Sequence, residues 1–164
     1  MSSSPFWSNL FQPINKQRQH ICDYWLKTPI FEEIDRFTCL ALVNDMSIRR
    51  YQRNEAIFTQ GEIGIGACLI LKGQVQIRSG EKVLATLEEG DFFGEIALVI
   101  ESPRTASAIG YDECEVVFFL RPQLDALIRR SPKQGCLLMQ NLARVMADRL
   151  GSTNALLEAH HSND

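Results

Sequence analysis

From Ser47 to Leu120 the chain breaks into short apolar runs punctuated by glycine, at Gly61, Gly64, Gly66, Gly73, Gly80, Gly90, Gly94 and Gly110. The runs SIRRY, EAIFT, ACLIL, QVQIR, KVLATL, TASAIG and CEVVFFL have strand length, and QGE, LKGQ, RSGEK and EEGD fall between them as turns. Many short strands with glycine-centred turns at near-regular spacing point to an antiparallel sandwich, barrel or jelly roll.

On both sides of this region the periodicity changes. Residues 1–12 are Ser-rich and interrupted by Pro5, yet Phe6, Trp7, Leu10 and Phe11 make the arm apolar enough to dock on its own domain or a partner. Ile14, Ile21, Tyr24 and Trp25 have helical spacing, predicting a helix from about Ile14 to Lys27 that Thr28-Pro29 ends. PIFEEIDRFTCLALVND predicts a second helix with Ile34, Phe37, Leu40 and Leu42 on adjoining faces. After the strands, Arg121-Pro122 opens a short helix and Ser131-Pro132 a longer one. In the latter Leu142, Met146, Leu150, Thr153 and Leu157 form a stripe fit for core packing or for a seam with a second copy, and Gly151 is placed to end or kink the helix. The predicted class is α+β, mainly β: an antiparallel β-roll or jelly roll flanked by N-terminal and C-terminal helices. Its parts are an arm and helices over 1–45, the roll over 46–120, helices over 121–159 and a tail over 160–164.

A chain of 164 residues has room for one such domain and little more. Its net charge of −3 disfavours a nucleic-acid binder that relies on bulk electrostatics, although Arg49-Arg50 and Arg129-Arg130 offer local basic patches. The five cysteines (Cys22, Cys39, Cys68, Cys114 and Cys136) show no CxxC spacing, so they read as small buried hydrophobes rather than disulfide partners or zinc ligands. No secretory signal and no bilayer-length apolar run is evident, and the expected location is the cytoplasm. His160-His161 reads as incidental, and His20 lies outside the roll, leaving no constellation for catalysis or metal.

The most informative stretch is FFGEIALVIESPRTASA, which sets Glu95 and Arg104 among apolar residues. Unpaired charges are costly to bury, so each needs a partner: each other, another part of the fold, or a ligand carrying an anion and a hydroxyl. Phe92-Phe93 is an apolar anchor, and Gly94 lets backbone approach a ligand closely. GEIAL can form one helical turn whose first N–H groups suit an anion. Glu95 can accept a hydrogen bond from a sugar hydroxyl. Arg104, opening the next strand, can pair a phosphate through two parallel N–H bonds, which lysine could not reproduce. Thr105 adds a hydroxyl, and Ala106 keeps the floor small.

This stretch resembles the phosphate-binding cassette of the cyclic nucleotide-binding domain family, which reads F-G-E-(apolar)-A-L and then P-R-(small)-A. Here Phe93, Gly94, Glu95, Ile96, Ala97 and Leu98 are followed by Pro103, Arg104, Thr105 and Ala106. Upstream, FTQGEIGIGACLILKGQVQI resembles a second family motif through Gly61, Glu62, Gly64, Gly73 and Val75. The resemblance covers roughly residues 28–150. It implies C-terminal helices of the family's B and C type, and a non-catalytic receptor that senses cAMP or cGMP by moving its last helix over the base. Carried over by residue, it implies that Arg104 binds the exocyclic phosphate oxygens and Glu95 the ribose 2′-OH. Backbone groups of Gly94, Ile96 and Ala97 would assist, with Thr105 beside them. Thr153 and Asn154 fall near a Thr-Ser pair that touches the adenine in the family's bacterial transcription activators. No cofactor beyond the ligand and no metal is implied.

Two departures bear on specificity. Gly66, Ala67 and Cys68 stand where many relatives are bulkier, predicting a looser base pocket. Thr-Ala-Ser-Ala after Arg104 is similar to cyclic-nucleotide-gated channels; Thr105 can meet a guanine amino group, bond the phosphate alone or cap the strand, and does not settle the base. The sequence stops soon after the long helix, where activators of this family continue into a DNA-reading domain. The expectation is therefore a stand-alone receptor acting on a separate effector or on a second copy through the C-terminal helix, with DNA binding disfavoured. The alternatives are an adaptor that keeps a degenerate cassette and docks through FWSNLF, or a receptor for a cyclic dinucleotide.

Overall fold

The computed structural model describes residues 16–161. The apolar arm of residues 1–12 and Ile14 lie outside the described residues, as do the side chains of Leu157 and of His160-His161.

Two four-stranded antiparallel sheets face each other. They comprise β1 (Ser47–Tyr51), β2 (Ala56–Phe58), β3 (Gly66–Lys72), β4 (Val75–Ser79), β5 (Lys82–Leu87), β6 (Phe92–Phe93), β7 (Ser107–Gly110) and β8 (Cys114–Leu120). One sheet has the order β1-β8-β3-β6, the other β2-β7-β4-β5. Each run expected to be a strand forms one. The addition is β6: Phe92-Phe93, expected only as an anchor, pairs with Leu69 and Cys68 of β3. Arg104 lies three residues before β7 and not at its start.

Strand β3 shows why the sequence takes this form. Successive side chains of a strand point to opposite faces. Cys68 and Ile70 enter a core between the sheets with Val75, Phe93, Ala108 and Val116, while Ala67, Leu69 and Leu71 enter a second core under the helices. A strand buried on both faces must be apolar throughout, which is why GACLIL does not alternate.

The second core is covered by helices. Residues 16–25 are helical (α1), followed by a 3-10 turn at Pro29–Phe31 and helix α2 at Arg36–Val43. The single helix expected from Pro29 onward is therefore broken. Glu33 takes a positive φ of 59°, and Asp35 caps a new start by accepting from the Thr38 N–H at 2.8 Å. Of the expected face, Ile34 and Leu42 are buried and Leu40 packs half-buried against the same core, but the break turns Phe37 out to solvent, 84% exposed, and α2 buries Thr38, Cys39 and Val43 as well.

At the other end come α3 (Ile96–Val99), α4 (Arg121–Arg130) and α5 (Pro132–His161). Gly151 neither ends nor bends α5 out of helical geometry; the helix runs through it. A single glycine costs an exposed helix only about 1 kcal/mol, and its neighbours sustain the turn. The α5 stripe divides. Leu142 is buried and Met146 half-buried, but Leu150 is 62% exposed and Thr153 is exposed. Nearer its start α5 is pinned to the N-terminal region: Asn141, buried, donates through Nδ2 to the carbonyls of Glu32 (2.7 Å) and Ile30 (3.4 Å), and Arg144 pairs with Glu32 at 2.8 Å. Four of the cysteines are buried thiols as expected, whereas Cys136 is exposed; all five are free. No helix among the described residues is long and apolar enough to cross a membrane.

Candidate functional site

The cassette between β6 and β7 folds around Gly94. Its φ of 74° belongs to the left-handed region, and a Cβ there would sit 2.6 Å from an Arg104 nitrogen, so both conformation and space require glycine. The chain then turns into the four-residue helix α3, which buries Ala97 and Leu98 and leaves Ile96 and Val99 exposed.

Arg104 reaches back under this turn. Its Nη1 donates to the Gly94 carbonyl (3.0 Å) and its Nη2 to the Gly66 carbonyl (2.8 Å), while the guanidinium lies 4.0 Å from the centre of the Phe58 ring. Burial pulls its proton affinity below the ordinary arginine value, and the nearby Cys68, Glu95 and Glu62 oppose that pull. A guanidinium has five N–H donors. Two are spent on these carbonyls, and the other three have no partner among the described residues.

Glu95 is nearly buried, and its partner is not Arg104. Its carboxylate pairs at 2.6 Å with Arg149 of α5. Arg149 also donates to the Phe92 carbonyl at 3.0 Å and lies over the Phe92 ring, 4.9 Å from its centre. The two charges of the cassette are thus satisfied separately, one by backbone and an aromatic face, the other by the long helix.

Between them lies a cavity of about 680 Å³. Of the residues expected at a site, Gly94, Glu95, Ile96, Ala97, Arg104, Thr105, Ala106 and Thr153 all line it. Asn154 does not; one residue beyond Thr153, it is turned about 100° around the helix and is exposed. The looser pocket expected from Gly66, Ala67 and Cys68 is not found, because none of the three lines the cavity. A Cβ on Gly66 would meet the Phe119 carbonyl oxygen at 2.2 Å; the small residue serves the close approach of β3 to β8.

Sequence reasoning missed Arg149, Asp148 and Ser152, which face the cavity from α5, and the apolar wall of Phe58, Ile77, Ala85 and Leu87. A signal for Arg149 was present: it precedes Thr153 by four residues and so shares its helical face.

A family model described as the cyclic nucleotide-binding domain matches residues 48–131. The chain is 35% identical over 115 residues to the cyclic AMP receptor protein of Thermus thermophilus, covering 67% of this chain and 51% of that protein. It is 37% identical over 83 residues to the cGMP-dependent protein kinase of Plasmodium berghei, covering 51% of this chain and 10% of the kinase. The crystal structure of Thermus thermophilus catabolite activator protein shares the fold with a TM-score of 0.71 at 30% identity, over 82% of this chain and 63% of that one. The chain spans about half or less of the length of these two curated relatives.

Proposed function

The chain belongs to the cyclic nucleotide-binding domain family, and we propose that its cavity takes a cyclic mononucleotide, cAMP or cGMP. The phosphate lies at Arg104 and Thr105, and the ribose hydroxyl at Glu95. The observation that carries this reading is the half-satisfied guanidinium of Arg104, held in place by two carbonyls and a ring beside an open cavity. A pre-oriented cation with unused donors meets an anion at little cost in side-chain freedom. Backbone N–H groups at the start of α3 add to the same end of the cavity.

The ion pair between Glu95 and Arg149 gives binding a route to the helix. A ribose hydroxyl placed on Glu95 shares that carboxylate with Arg149 and so changes what holds α5 against the cassette. The domain acts as a sensor, not a catalyst. It passes the state of α5 to a separate effector or a second copy, in the cytoplasm, where its free cysteines stay reduced. The shift in α5 is limited by the difference in nucleotide affinity between its two poses. A degenerate cassette closed by an ion pair between Glu95 and Arg104 is disfavoured by their separate partners.

Isothermal titration with cAMP and cGMP tests the proposal, with Arg104→Lys as the comparison. Wild type should release or take up heat with at least one nucleotide, and the lysine, which keeps the charge but loses the paired donors, should bind about a hundredfold more weakly. Absence of heat from both nucleotides with a folded wild-type protein would overturn the reading.

A further inference from the structure

Each sheet ends in two edge strands, and an unpaired edge presents a row of N–H and C=O groups on which another strand can add. Three of the four edges are blunted. Strand β1 carries Arg49 and Arg50, the latter paired with Glu115. Strand β2 has three residues, and β6 has two, with the Phe92 carbonyl taken by Arg149. The fourth edge, β5, differs. It has six residues, KVLATL, with no proline and no charge after Lys82. One side pairs with β4, and no strand among the described residues pairs with the other. Val83 is 46% and Leu84 53% exposed.

The register of β5 shows what fits it. Ser79, Ile77 and Val75 of β4 stand opposite Lys82, Ala85 and Leu87, whereas Arg78 and Gln76 stand opposite Val83 and Thr86. Leu84 is the extra residue of a bulge. Lys82, Ala85 and Leu87 therefore share one face of the sheet, and Val83 and Thr86 the other. We infer that β5 is a docking edge for a second copy of this chain, set antiparallel about a two-fold axis between Leu84 and Ala85. The two copies then share one continuous sheet of eight strands, four from each. This arrangement pairs Val83 with Thr86, and Lys82 with Leu87, of the second copy, each pair on a common face. Without the bulge the same pairing would set every side chain against one on the opposite face. Leu84 meets Ala85 across the axis, and Lys82 comes one position from Glu88 of the second copy at both ends, an attraction of opposite charges. Because Ala85 and Leu87 line the cavity, the two cavities flank the joint. The joint is separate from the exposed end of α5, and it does not rest on which ligand the cavity takes.

Sedimentation equilibrium of the full chain tests the inference. Wild type should pass from one chain to two as its concentration is raised. Leu84 is exposed and does not line the cavity, so Leu84→Lys should keep the wild-type melting temperature. It sets two lysines beside the axis and should weaken the dimer about a hundredfold. Leu150→Lys, on the exposed part of α5, should leave the dimer intact. Cross-linking reads the register, in a Cys136→Ser background that keeps only the buried thiols. On oxidation with copper phenanthroline, Val83→Cys mixed with Thr86→Cys should give a disulfide-linked pair, and neither protein alone should. A wild type that stays single at every concentration overturns the assignment. So does a dimer that Leu150→Lys dissolves and Leu84→Lys does not, or a mixture that cross-links no better than its separate components.

Discussion

Replacing Arg149 by Met keeps the hydrocarbon stem against Phe92 and removes the charge that faces Glu95. The pair is made at 2.6 Å between a side chain 8% exposed and one 46% exposed. Two unit charges at about 4 Å attract by ~4 kcal/mol at an effective dielectric of 20. Glu95 gave up hydration to be buried, and water screens the outer half of Arg149, so the net pair falls between an exposed salt bridge and a buried charge-assisted bond, about 1.5–2 kcal/mol. The bond to the Phe92 carbonyl adds about 1 kcal/mol. Arg149→Met should therefore destabilise the domain by about 2–3 kcal/mol and lower Tm by roughly 5–10 °C for a chain of this size. The decisive assay is a double-mutant cycle in urea with Glu95→Gln, Arg149→Met and both together. Once the carboxylate is neutral, the loss of Arg149 should cost less, giving a coupling of about 1.5 kcal/mol. Additivity within about 0.5 kcal/mol would refute the reasoning, because it would mean that Arg149 stabilises α5 without reading the charge of Glu95.

Gly66→Ala should cost more than about 3 kcal/mol and remove nucleotide binding, since its Cβ would lie 2.2 Å from the Phe119 oxygen and would displace the carbonyl that positions Arg104. A melting temperature within a few degrees of wild type would show that β3 and β8 are not so closely apposed. The thiols give a pH prediction. Burial pushes Cys68 up to about 12 and Cys114 to about 11, and raises Cys22 and Cys39 as well. At pH 8 a thiol reagent should titrate Cys136 alone in the native protein and all five cysteines in denaturant. Unfolded thiols ionise near pH 9 while the four buried ones of the folded protein stay protonated, so the unfolded state binds fewer protons above that pH. Stability should then fall from about pH 9 towards 12, by about 1 kcal/mol per unit for each thiol. Urea midpoints that hold constant between pH 8 and 10.5 would contradict this.

The strands were legible because their signals are local. Glycines mark the turns, and β3 carries its two-sided burial openly in GACLIL. The break before α2 was legible in principle, with Asp35 standing three residues before Thr38, but it was hidden by an apolar pattern that continues across it. The same division holds for the site. Residues 94–106 form one contiguous motif, and their chemistry could be argued from spacing alone. That buried charges need partners also follows from the sequence. Which partner each finds does not: Arg149 lies 54 positions beyond Glu95 and reaches it only because α5 crosses the cassette. Gly66 shows the converse error. A small residue beside a pocket reads as vacant space, but here the space is filled by the backbone of β8.

The placement of Arg149 along α5 decides which part of the helix a ligand can influence. Leu138, Leu142 and Val145 are buried in the helical core, and Asn141 and Arg144 tie the same turns to the carbonyls and carboxylate around Glu32. Eight residues after Asn141, about 12 Å along the axis, Arg149 ties the helix to the cassette through an ion pair and a hydrogen bond. From Leu150 to Ala155 every residue is exposed. A ligand that competes for Glu95 therefore acts at the last of these anchors before the exposed turns, where releasing one ion pair moves the fewest packed side chains. The hydrogen bonds of Asn141 would have to be broken against the whole helical core, and their coupling to a nucleotide would be lost in that larger energy. The segment free to respond is thus the one beginning at Arg149, which is also the segment that lines the cavity through Ser152 and Thr153. On the proposed reading, sensing and response would fall on the same two turns of helix, because the packing of the turns up to Val145 holds that part of α5 in place.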